Sequence, residues 1–487
     1  MISYKKYVNQ GQILIQALVF GSISVVIIGG LVSWAGVNIK ASRLAVYREQ
    51  AVQIAESGVD YYRWHLAHAQ NDYQDGTGTT TPYIHPFYDK DGNQIGTFTL
   101  EITPPQTGFT IVTIKSTGKV LAEPTVSRVV VAKLAIPSLA KFAVVANDNM
   151  RFGEGTEVFG PIHSNGGIRF DGIAHNVISS SRSSYDDTDH SGANEFGVHT
   201  HVTAPPGSVV NDSFRSAEAP PSAVPNRTDI LESGRQFPVP AVDFVGLTTD
   251  LASIKTKAQA SGRYISSSGT LGYHIVFKTD DTFDLYRVTQ LQTSGSGCSN
   301  DASQTGWGSW SIKSSGGQTL VGNYTFPSNG LIFVEDNVWV DGQINGARLT
   351  LAAGKFPDNA TTRPSITVNA NLLYTLYDGT DVLSLISQGD VNVGQYSAND
   401  LRIDAALIAQ NGRTGRYYYS SSCSNNSRNS LTLYGMIASN IRYGFAYTDG
   451  TGYDTRNIMY DANLLYGPPP SFPLTSDQYQ IISWDEK

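Results

Sequence analysis

The chain has 487 residues, a length that exceeds what one hydrophobic core usually serves and that predicts two or three structural units. Only 16% of the residues are charged and 47 are glycine, a composition that favours β-structure with small polar surface residues. The formal net charge of −8, without any basic run or alternation of basic and aromatic residues, excludes a general attraction to phosphate backbones, so we expect no nucleic-acid partner.

The first predicted element is a membrane-spanning helix. Residues 13–37 contain no charged side chain, and as a helix they would rise about 37 Å, enough to cross a hydrocarbon core of about 30 Å. Lys5 and Lys6 precede this segment, which predicts a cytoplasmic N-terminus and export of the remainder. A secretory signal would place its cleavage site after the apolar run, whereas the candidate here, Gly11, comes before it.

The helical pattern continues beyond the membrane segment. One face is formed by residues that step by threes and fours, namely Leu44, Arg48, Ala51, Ala55, Gly58, Tyr62 and His65. We therefore predict one helix over 12–70, with the membrane segment at 13–37 and an amphipathic half beyond it. The small residues of this face allow close approach of another helix or of a sheet.

Three features of the N-terminus occur together: a basic leader that ends in glycine, an apolar helix directly after it, and the sequence "REQAVQIAESGVDYYRWHL" at the end of that helix. They resemble type IV pilins, more narrowly the large minor pilins with a PilX-like N-terminus. The resemblance implies that a prepilin peptidase removes residues 1–11 by cutting between Gly11 and Gln12, and that it methylates the new N-terminus. It also implies a single-pass anchor in the inner membrane before assembly, and packing against other pilin subunits in an extracellular filament afterwards.

Gln16 departs from the family pattern. Most pilins carry a glutamate as the fifth residue of the mature chain, where it pairs with the N-terminal amine of a neighbouring subunit. The neutral amide of Gln16 cannot supply that charge pair in a low-dielectric surrounding. The resemblance implies that subunits lacking the glutamate sit at the filament tip, as the largest minor pseudopilin of type II secretion systems does. Gln12 is also atypical as a mature first residue, and a plain membrane anchor with a chance glycine remains the alternative.

Residues 83–136 predict a small antiparallel sheet after the helix. An Asp-Gly turn separates two apolar-rich strands, and "FTIVTIKSTGKV" and "VSRVVVAKLAIP" then alternate with period two. A helix followed by an antiparallel meander is the pilin arrangement. Asp89, Asp91 and Asn93 in "DKDGN" lack the distal acid of a calcium loop, so we interpret them as a hairpin turn.

The segments 140–172 and 319–487 predict a large, mainly β domain, which we call the head. Short apolar strands alternate there with glycine and asparagine, and "GPIHSN" (160–165) is echoed by "GMIASN" (435–440). Glycine and asparagine suit the left-handed corners of stacked coils, which favours a β-solenoid. A β-sandwich is the alternative, because counting strands does not separate the two. The predicted class of the whole chain is α+β.

Residues 173–318 predict an insertion in the head, with long loops, a helix at 243–262 and a hairpin at 272–292. The sequence contains two cysteines, Cys298 and Cys423, which lie in similar polar stretches and fit no CxxC metal site. In an exported head they are candidates for one disulfide, and two unpaired surface thiols are the alternative.

Some side chains of the insertion could assemble a metal site. They are His199 and His201 of "HTH", with Asp186, Asp187, Asp189 and His190 nearby in sequence. A flexible polar loop is the preferred interpretation, so we expect no metal and no other cofactor.

No catalytic constellation is predicted. His163 and Ser164, with Asp171 nearby, suggest a triad, but neighbours in a strand point to opposite faces. Parallel β-helices often host polysaccharide-cleaving enzymes that use acids. The acids available here show no paired spacing; they are Asp336, Asp341, Asp390, Asp400 and Asp404. We therefore predict a non-enzymatic protein.

Aromatic residues of Gly-rich segments predict an exposed contact surface. They are Tyr417, Tyr418, Tyr419, Tyr443, Phe445, Tyr447 and Tyr453. Adhesive and carbohydrate-contacting surfaces use rigid rings because these give contact area at small entropic cost. The alternative is that these rings line the core of the head or its packed loops.

Together these features predict a minor type IV pilus subunit at the filament tip. It would act in pilus assembly and in adhesion to a surface or host cell, with a surface glycan or host-cell receptor as partner. One alternative is a pseudopilin of a type II secretion system, whose head binds exported substrate. Another is a membrane-anchored polysaccharide-active β-helix enzyme.

Overall fold

The computed structural model describes residues 10–205, 209–244 and 246–487. These residues form two compact units. The first unit consists of the residues up to Pro105 together with Ile111–Ala135 and Asp477–Lys487. The second unit, the head, consists of Gln106–Thr110 and Ile136–Ser476. The class is α+β, because a long N-terminal helix precedes a large β-rich unit.

Helix α1 (Gln10–His68) is continuous through the predicted membrane segment. The predicted leader, residues 1–11, lies outside the described residues as far as residue 9. Residues 12–43 are all exposed, although 13–37 are apolar. Within the described residues, α1 is the one helix that is long and apolar enough to cross a membrane.

The second half of α1 packs on the sheet of the first unit. Its buried side chains are Ala51, Ile54, Ala55, Val59, Tyr62 and Leu66. Glycines on both surfaces permit the close approach. A Cβ on Gly58 would lie 2.3 Å from Ser116 Oγ, and a Cβ on Gly118 would lie 2.1 Å from the carbonyl oxygen of Ala51. The small-residue face of the helix therefore meets a sheet.

The sheet of the first unit is antiparallel. Its first strands are β1 (Tyr83–Tyr88), β2 (Gln94–Thr103), β3 (Val112–Val120) and β4 (Ser127–Ala135). They pair in sequence order, within the predicted range 83–136. The last strand of the chain, Gln480–Glu486, pairs antiparallel with β4. The assignment of all of 319–487 to the head is thus wrong at its end, because this strand covers the edge of β4, which would otherwise be unpaired.

The head contains many short strands and few helices. The strands before its α-helix are β5 (Val144–Ala146), β6 (Met150–Phe152), β7 (Thr156–Phe159), β8 (Ile162–Ser164), β9 (Ile168–Phe170), β10 (Ile173–Ala174), β11 (Ile178–Ser180), β12 (Ser184–Tyr185), β13 (Glu195–Phe196), β14 (Val198–His199) and β15 (Arg235–Gln236). The helices are α2 (Gly246–Ser261) and 3₁₀ turns at Leu139–Lys141, Ser216–Glu218 and Ala462–Leu465.

Longer strands follow α2. They are β16 (Arg263–Ile265), β17 (Gly272–Phe277), β18 (Thr282–Val288), β19 (Gln318–Thr325), β20 (Leu331–Val334), β21 (Val338–Ile344), β22 (Arg348–Ala353), β23 (Ile366–Tyr374), β24 (Val382–Ser387), β25 (Val391–Val393), β26 (Asp400–Ala409), β27 (Thr414–Arg416), β28 (Ser427–Ser439) and β29 (Gly452–Tyr460). The strand Gln480–Glu486 of the first unit is β30.

Most strands of the head pair in parallel with a strand from another turn of the chain. One ladder runs β16–β20–β22–β24–β26–β28–β5–β8–β11–β15. A second runs β17–β21–β23–β25–β27, and a third runs β28–β29–β7–β10. The same sheet contains two antiparallel pairs, β17–β18 and β18–β19. Successive chain turns therefore lie side by side, and the N-terminal strands of the head extend the ladder of its C-terminal strands.

The two echoing motifs occupy equivalent positions in this ladder. Ser439 of "GMIASN" lies beside Ala146 of β5, and Ala146 lies beside Ser164 of "GPIHSN". The motifs therefore flank β5 in register. The sequence repeat reflects a repeated backbone environment.

A column of aliphatic side chains forms the centre of the head. Its members follow one another in ladder register and are Ile332, Leu351, Leu385, Leu407, Ile437, Val144, Ile162 and Ile178. Each is almost completely buried. Fully burying such a side chain contributes about 1.5–3 kcal/mol, so the column is a main source of stability in the head.

The predicted insertion at 173–318 is less separate than expected. Strands β10 and β11 continue the ladders, and β16 and β17 pair with strands that follow the insertion. The predicted helix and hairpin are present as α2 and β17–β18. The boundary at residue 173 was wrong because backbone pairing with distant strands, which the local composition does not reveal, holds these short strands in place.

Candidate functional site

The residues predicted to be processed lie at the start of α1. The helix includes Gly11, Gln12 and Gln16, and the side chains of Gln12 and Gln16 are exposed. One other polar side chain of the apolar segment, Ser22, bonds within the helix: its Oγ donates to the Leu18 carbonyl at 2.7 Å. The exposed surface of residues 13–37 is mostly apolar, and the Gln16 amide lies near its beginning.

The two cysteines are joined. Cys298 and Cys423 form a disulfide, the first of the two alternatives left open by the sequence. It packs with Tyr417 and Tyr419, which are buried, and with the half-buried ring of Trp307. The disulfide therefore ties a long loop of the head to the segment that follows β27.

The expected aromatic contact surface is wrong for most of its members. Five of its rings are buried; they are Tyr417, Tyr419, Tyr443, Phe445 and Tyr453. Tyr418 and Tyr447 are half-buried and touch edge to face, with centroids 5.0 Å apart. The alternative holds for these five rings: Tyr443, Phe445 and Tyr453 belong to the main core of the head, and Tyr417 and Tyr419 pack in the cluster around the disulfide.

The residues considered for a triad bond to separate partners. His163 lies 3.1 Å from Ser179 Oγ, whereas Ser164 Oγ donates to the Asp148 carbonyl at 2.7 Å. Asp171 instead accepts a hydrogen bond from Arg169 at 2.7 Å. The structure therefore does not bring the three together.

The dispersed acids of the head also have separate partners. Hydrogen bonds reach Asp336 from Ser268, Asp341 from Asn369, Asp390 from Tyr417, Asp400 from Ser430 and Asp404 from Tyr377. Each acid thus accepts from a different residue, and these bonds account for its position in the fold.

A large open cavity lies in the head, with a volume of about 1770 Å³. Its wall carries paired charges. Arg442 donates to both carboxylate oxygens of Asp189, at 2.9 and 2.7 Å, and Arg151 donates to Asp189 and Asp212 at 3.1 and 2.9 Å. Tyr447 also lines it. We call this the Arg–Asp cavity; its donors and acceptors suit a hydroxyl-rich or charged ligand.

Beside this cavity, five titratable side chains converge inside the head. They are Asp187, His190, Glu195, His199 and His201, and we call them the histidine–carboxylate cluster. Each offers one ligand atom, and these atoms all lie within 4.8 Å of one another. The exposed fraction of each side chain is between 0 and 6%.

Local backbone structure explains the convergence. Glu195 lies in β13 and His199 in β14, and β14 pairs in parallel with β9. His201 follows His199 by two residues, so in extended backbone both rings point to the same side. Asp187 and His190 come from the turn between β12 and β13, which pair antiparallel.

The distances centre on Glu195. Its Oε2 lies 3.1 Å from His190 Nε2, 2.6 Å from His199 Nε2 and 2.8 Å from His201 Nε2. Oδ2 of Asp187 lies 3.6 Å from His190 Nε2 and 3.5 Å from His199 Nε2. All three imidazoles therefore present the same ring nitrogen to one point.

The carboxylates and imidazoles of the cluster influence one another's pKa values. Burial raises the pKa of the Glu195 carboxyl, but the adjacent His199 and His201 rings lower it more, so this pKa lies well below its usual range. Burial also raises the pKa of Asp187, but His199 lowers it more, so the pKa of Asp187 lies below its ordinary value. Burial lowers the pKa of His199 itself, and the two carboxylates raise it above its ordinary value. The carboxylates are thus anionic and attract positive charge.

The sequence identified part of this cluster. The sequence pattern singles out Asp187, His190, His199 and His201 but favours a flexible loop, an interpretation that is wrong because the side chains of these residues are at most 6% exposed. Asp186 is exposed and Asp189 pairs with Arg442, so neither joins the cluster. Glu195 was missed, although the spacing Glu-x₃-His-x-His, which ends at His201, was a usable signal.

Comparison with known proteins gives one match of note. No protein-family model matches the sequence, and a comparison with curated proteins finds no match. Among solved structures, the chain is similar to the competence-associated pilin ComZ from Thermus thermophilus, with 14% identity and a TM-score of 0.30. The match covers 91% of this chain and 98% of that chain. A similarity of this extent is too small to carry a fold or a function from one chain to the other.

Proposed function

We propose that the chain is a minor subunit of a type IV pilus, placed at or near the filament tip. The observation that carries this proposal is helix α1. One uninterrupted helix presents an exposed apolar segment, 13–37, and then a half that packs on an antiparallel sheet. A helix of this design serves as a membrane anchor before assembly and as a packing element between subunits afterwards.

The apolar segment needs a partner because its side chains are exposed in the isolated chain. Leu14, Val25 and Val26 are each at least 70% exposed. A hydrocarbon core of about 30 Å matches the length of the segment, so lipid is the partner before assembly. In a filament, the helices of neighbouring pilin subunits cover the same surface. Association would depend on close packing, and Gly29, Gly30 and Gly36 offer room for it because they have no side chain and a Cβ built on each would meet no atom within 4 Å.

The proposal includes proteolytic processing of the N-terminus. A prepilin peptidase would cut between Gly11 and Gln12 and methylate the new N-terminus. Mass spectrometry of the purified protein tests this step, and an intact Met1 or a cut elsewhere would contradict it. Gly11→Val should block the cut, whereas Gly21→Val, which changes a glycine with no neighbour within 4 Å, should leave it unaffected.

The tip position follows from Gln16. A shaft subunit must neutralise the N-terminal amine of its neighbour in a low-dielectric surrounding, and a neutral amide cannot do this. At the tip no subunit lies above, so the missing carboxylate has no consequence. Labelling of filaments with antibodies against the head should mark tips, and uniform labelling along the shaft would contradict the proposal. Gln16→Glu should move labelling from the tip towards the shaft.

The head would be a β-solenoid that acts by binding and not by catalysis. Its parallel ladders support a solenoid over a sandwich, because sandwiches are built from antiparallel sheets.

The Arg–Asp cavity is the candidate surface for adhesion to a surface glycan or host-cell receptor. Arg442→Ala should reduce adhesion of piliated cells without reducing the number of filaments, and an unchanged adhesion would exclude this surface.

Two other functions use the same features. A pseudopilin of a type II secretion system would bind exported substrate through the head, and loss of the gene would then reduce secretion and leave adhesion unchanged. A polysaccharide-active enzyme would release products from glycans incubated with the purified protein. No observation favours either function over the pilus subunit.

A further inference from the structure

We propose that the histidine–carboxylate cluster binds one zinc ion with a structural role in the head. The ligands would be His190, His199 and His201 through Nε2, Glu195 through Oε2 and Asp187 through Oδ2. This site is independent of whether the protein is a pilus subunit.

The donor set selects the class of metal. Three imidazole nitrogens with carboxylate oxygens suit zinc and its neighbours among the divalent transition metals. Calcium and magnesium prefer oxygen ligands and are excluded by the three nitrogens. Zinc also has no preferred geometry from its d-electrons, so it accepts the four or five donors that this cluster offers.

The distances fit such an ion. Ligand atoms about 2.0–2.2 Å from a tetrahedral zinc lie about 3.3–3.6 Å from one another. Three measured separations, 3.1, 3.5 and 3.6 Å, are close to this spacing. The two short ones, from Glu195 Oε2 to His199 and His201, are 2.6 and 2.8 Å and would open by less than about 1 Å.

Unpaired buried atoms give a second, independent observation. His199 has no exposed surface, and neither of its ring nitrogens makes a hydrogen bond in the described structure. Its Nε2 is near Glu195, but not in hydrogen-bonding geometry. Oδ2 of Asp187 is also buried without a hydrogen-bond partner. Leaving such atoms unsatisfied costs about 1–3 kcal/mol each, and one ion at the centre would satisfy Nε2 of His199 and Oδ2 of Asp187.

Surrounding groups hold the ligands in place. Nδ1 of His201 lies in hydrogen-bonding contact with the Asn211 carbonyl, which leaves its Nε2 free to face the centre. The backbone N–H of His201 donates to Asp171 at 2.8 Å. Oε1 of Glu195 accepts from the backbone N–H of Arg215 at 3.0 Å, so its Oε2 is the oxygen left for a metal. Metal-binding histidines and carboxylates are usually oriented in this way.

Burial determines the role. Structural zinc sites are closed, whereas catalytic ones keep a position open for water or substrate. Every side chain of the cluster is buried, and the five donors surround the centre, so we assign a structural role. The ion would join the turn at 187–190 to β13 and β14, in a region whose strands are only two residues long.

The test uses the full chain, purified in detergent, and zinc as the probe. After incubation with zinc and dialysis, mass spectrometry for metals should find about one zinc per chain. Removal of the ion with a chelator should lower the melting temperature of the head, because a ligand that binds only the folded state stabilises it. Absence of bound zinc, or a melting temperature that does not respond to the chelator, would overturn the proposal.

Matched variants locate the ion. His199→Gln should weaken zinc binding by at least about tenfold, since even the loss of a supporting group costs that much. His175→Gln is the control, because His175 also lies near two carboxylates, Glu232 at 2.9 Å and Glu157 at 3.4 Å, but is partly exposed. Equal zinc binding by both variants would overturn the assignment of the ligands.

A spectroscopic measurement covers the case in which His199→Gln fails to fold. Cobalt introduced into the wild-type chain in place of zinc should give the strong visible absorption of a four- or five-coordinate site. The weak absorption of six-coordinate cobalt would overturn the proposed site. Preferential binding of another metal when zinc is present at equal concentration would overturn the identity of the ion.

Discussion

Two regions of the molecule depart from the usual distribution of residues, in opposite directions. In residues 13–37 of helix α1, apolar side chains are exposed; in the histidine–carboxylate cluster, titratable side chains are buried. Folded proteins rarely expose such large apolar surfaces or bury several charges together without compensation. We interpret each departure as the mark of a partner: lipid or neighbouring helices for the first region, and a cation for the second.

The two regions differ in how specific that partner must be. Apolar surface is attracted to any apolar surrounding in proportion to its area, so one apolar side chain can replace another. The cluster depends on five atoms that lie within 4.8 Å of one another, so the loss of one side chain removes contacts from several of the others. Only substitutions that introduce a charge should therefore disturb the apolar segment, whereas almost any substitution in the cluster should lower the stability of the head.

The largest effect is expected in the cluster. Glu195→Ala removes the carboxylate that approaches all three imidazoles and leaves them buried with Asp187 as the remaining acid of the cluster. Breaking a buried ion pair in this way costs about 3–5 kcal/mol in the free energy of unfolding. This loss is measured by urea unfolding of the full chain, monitored through a spectroscopic signal from the head.

Glu232→Ala is the matched control for this prediction. Its carboxylate lies 2.9 Å from His175, but the side chain is 50% exposed, so its loss should cost no more than about 1 kcal/mol. Similar losses for the two variants would show that burial does not distinguish the cluster from a surface pair.

The next effect concerns the apolar segment. Val26→Arg places a charge in its middle and should disfavour membrane insertion by about 2.5–3.5 kcal/mol. The membrane-bound fraction of the expressed protein, measured after a carbonate wash, should fall. Val46→Arg, at an exposed position of the same helix beyond the apolar segment, should leave this fraction unchanged. Equal losses for the two variants would contradict a membrane role specific to 13–37.

A smaller effect should mark the point where α1 changes from exposed to packed. The Cβ of Gly58→Ala would lie 2.3 Å from Ser116 Oγ and 2.9 Å from the Phe98 ring, so we expect a loss of about 1–3 kcal/mol through overpacking. Gly36→Ala has no atom within 4 Å and should stabilise the helix by up to about 1 kcal/mol. Thermal unfolding of the two variants in detergent compares them. A Gly58→Ala variant as stable as wild type would contradict the close packing of helix and sheet.

Local patterns in the sequence were sufficient to predict much of this fold. The helix predicted at 12–70 is found at Gln10–His68, because apolar periodicity and absence of charge are local properties. The strands within 83–136 were predictable for the same reason. The pairing of strand β30 with β4 was not predictable, because it is decided by the edge of β4, and no residue near 480 carries that information.

The cluster was only partly predictable for a related reason. The sequence brings His199 and His201 to one side of an extended segment, and this much could be foreseen. Their burial depends on the pairing of β14 with β9 and on the turn that carries Asp187, both of which are products of the tertiary structure. A polar composition alone does not separate a flexible loop from a buried site, so the composition of this segment cannot predict the burial of the cluster.

The smallest effect is expected for Glu335, a polar residue near the surface of the head whose partners belong to the same chain. Glu335 is in ionic contact with Lys255 and accepts a hydrogen bond from Tyr264 at 2.6 Å. Burial raises the pKa of Glu335, but Lys255 and Tyr264 lower it more, so it lies below its ordinary value. A lowered pKa means that the contact stabilises the head above the unfolded-state pKa of about 4.3, and that this contribution is lost as the pH falls through the folded-state value.

Glu335→Gln isolates that contribution. The side chain is partly exposed, at 19%, and solvent screens the pair, so we expect the variant to be less stable by no more than about 1 kcal/mol at neutral pH. The difference from wild type should shrink towards zero as the pH falls through the lowered folded-state pKa of Glu335, where the wild-type carboxyl also becomes neutral. Urea unfolding at neutral pH and at successively lower pH values measures this change. A loss of unfolding free energy as large as that expected for Glu195→Ala would mean that exposure to solvent does not set the strength of these contacts. The contrast between a surface pair that is satisfied within the chain and a buried cluster that needs a cation would then fail.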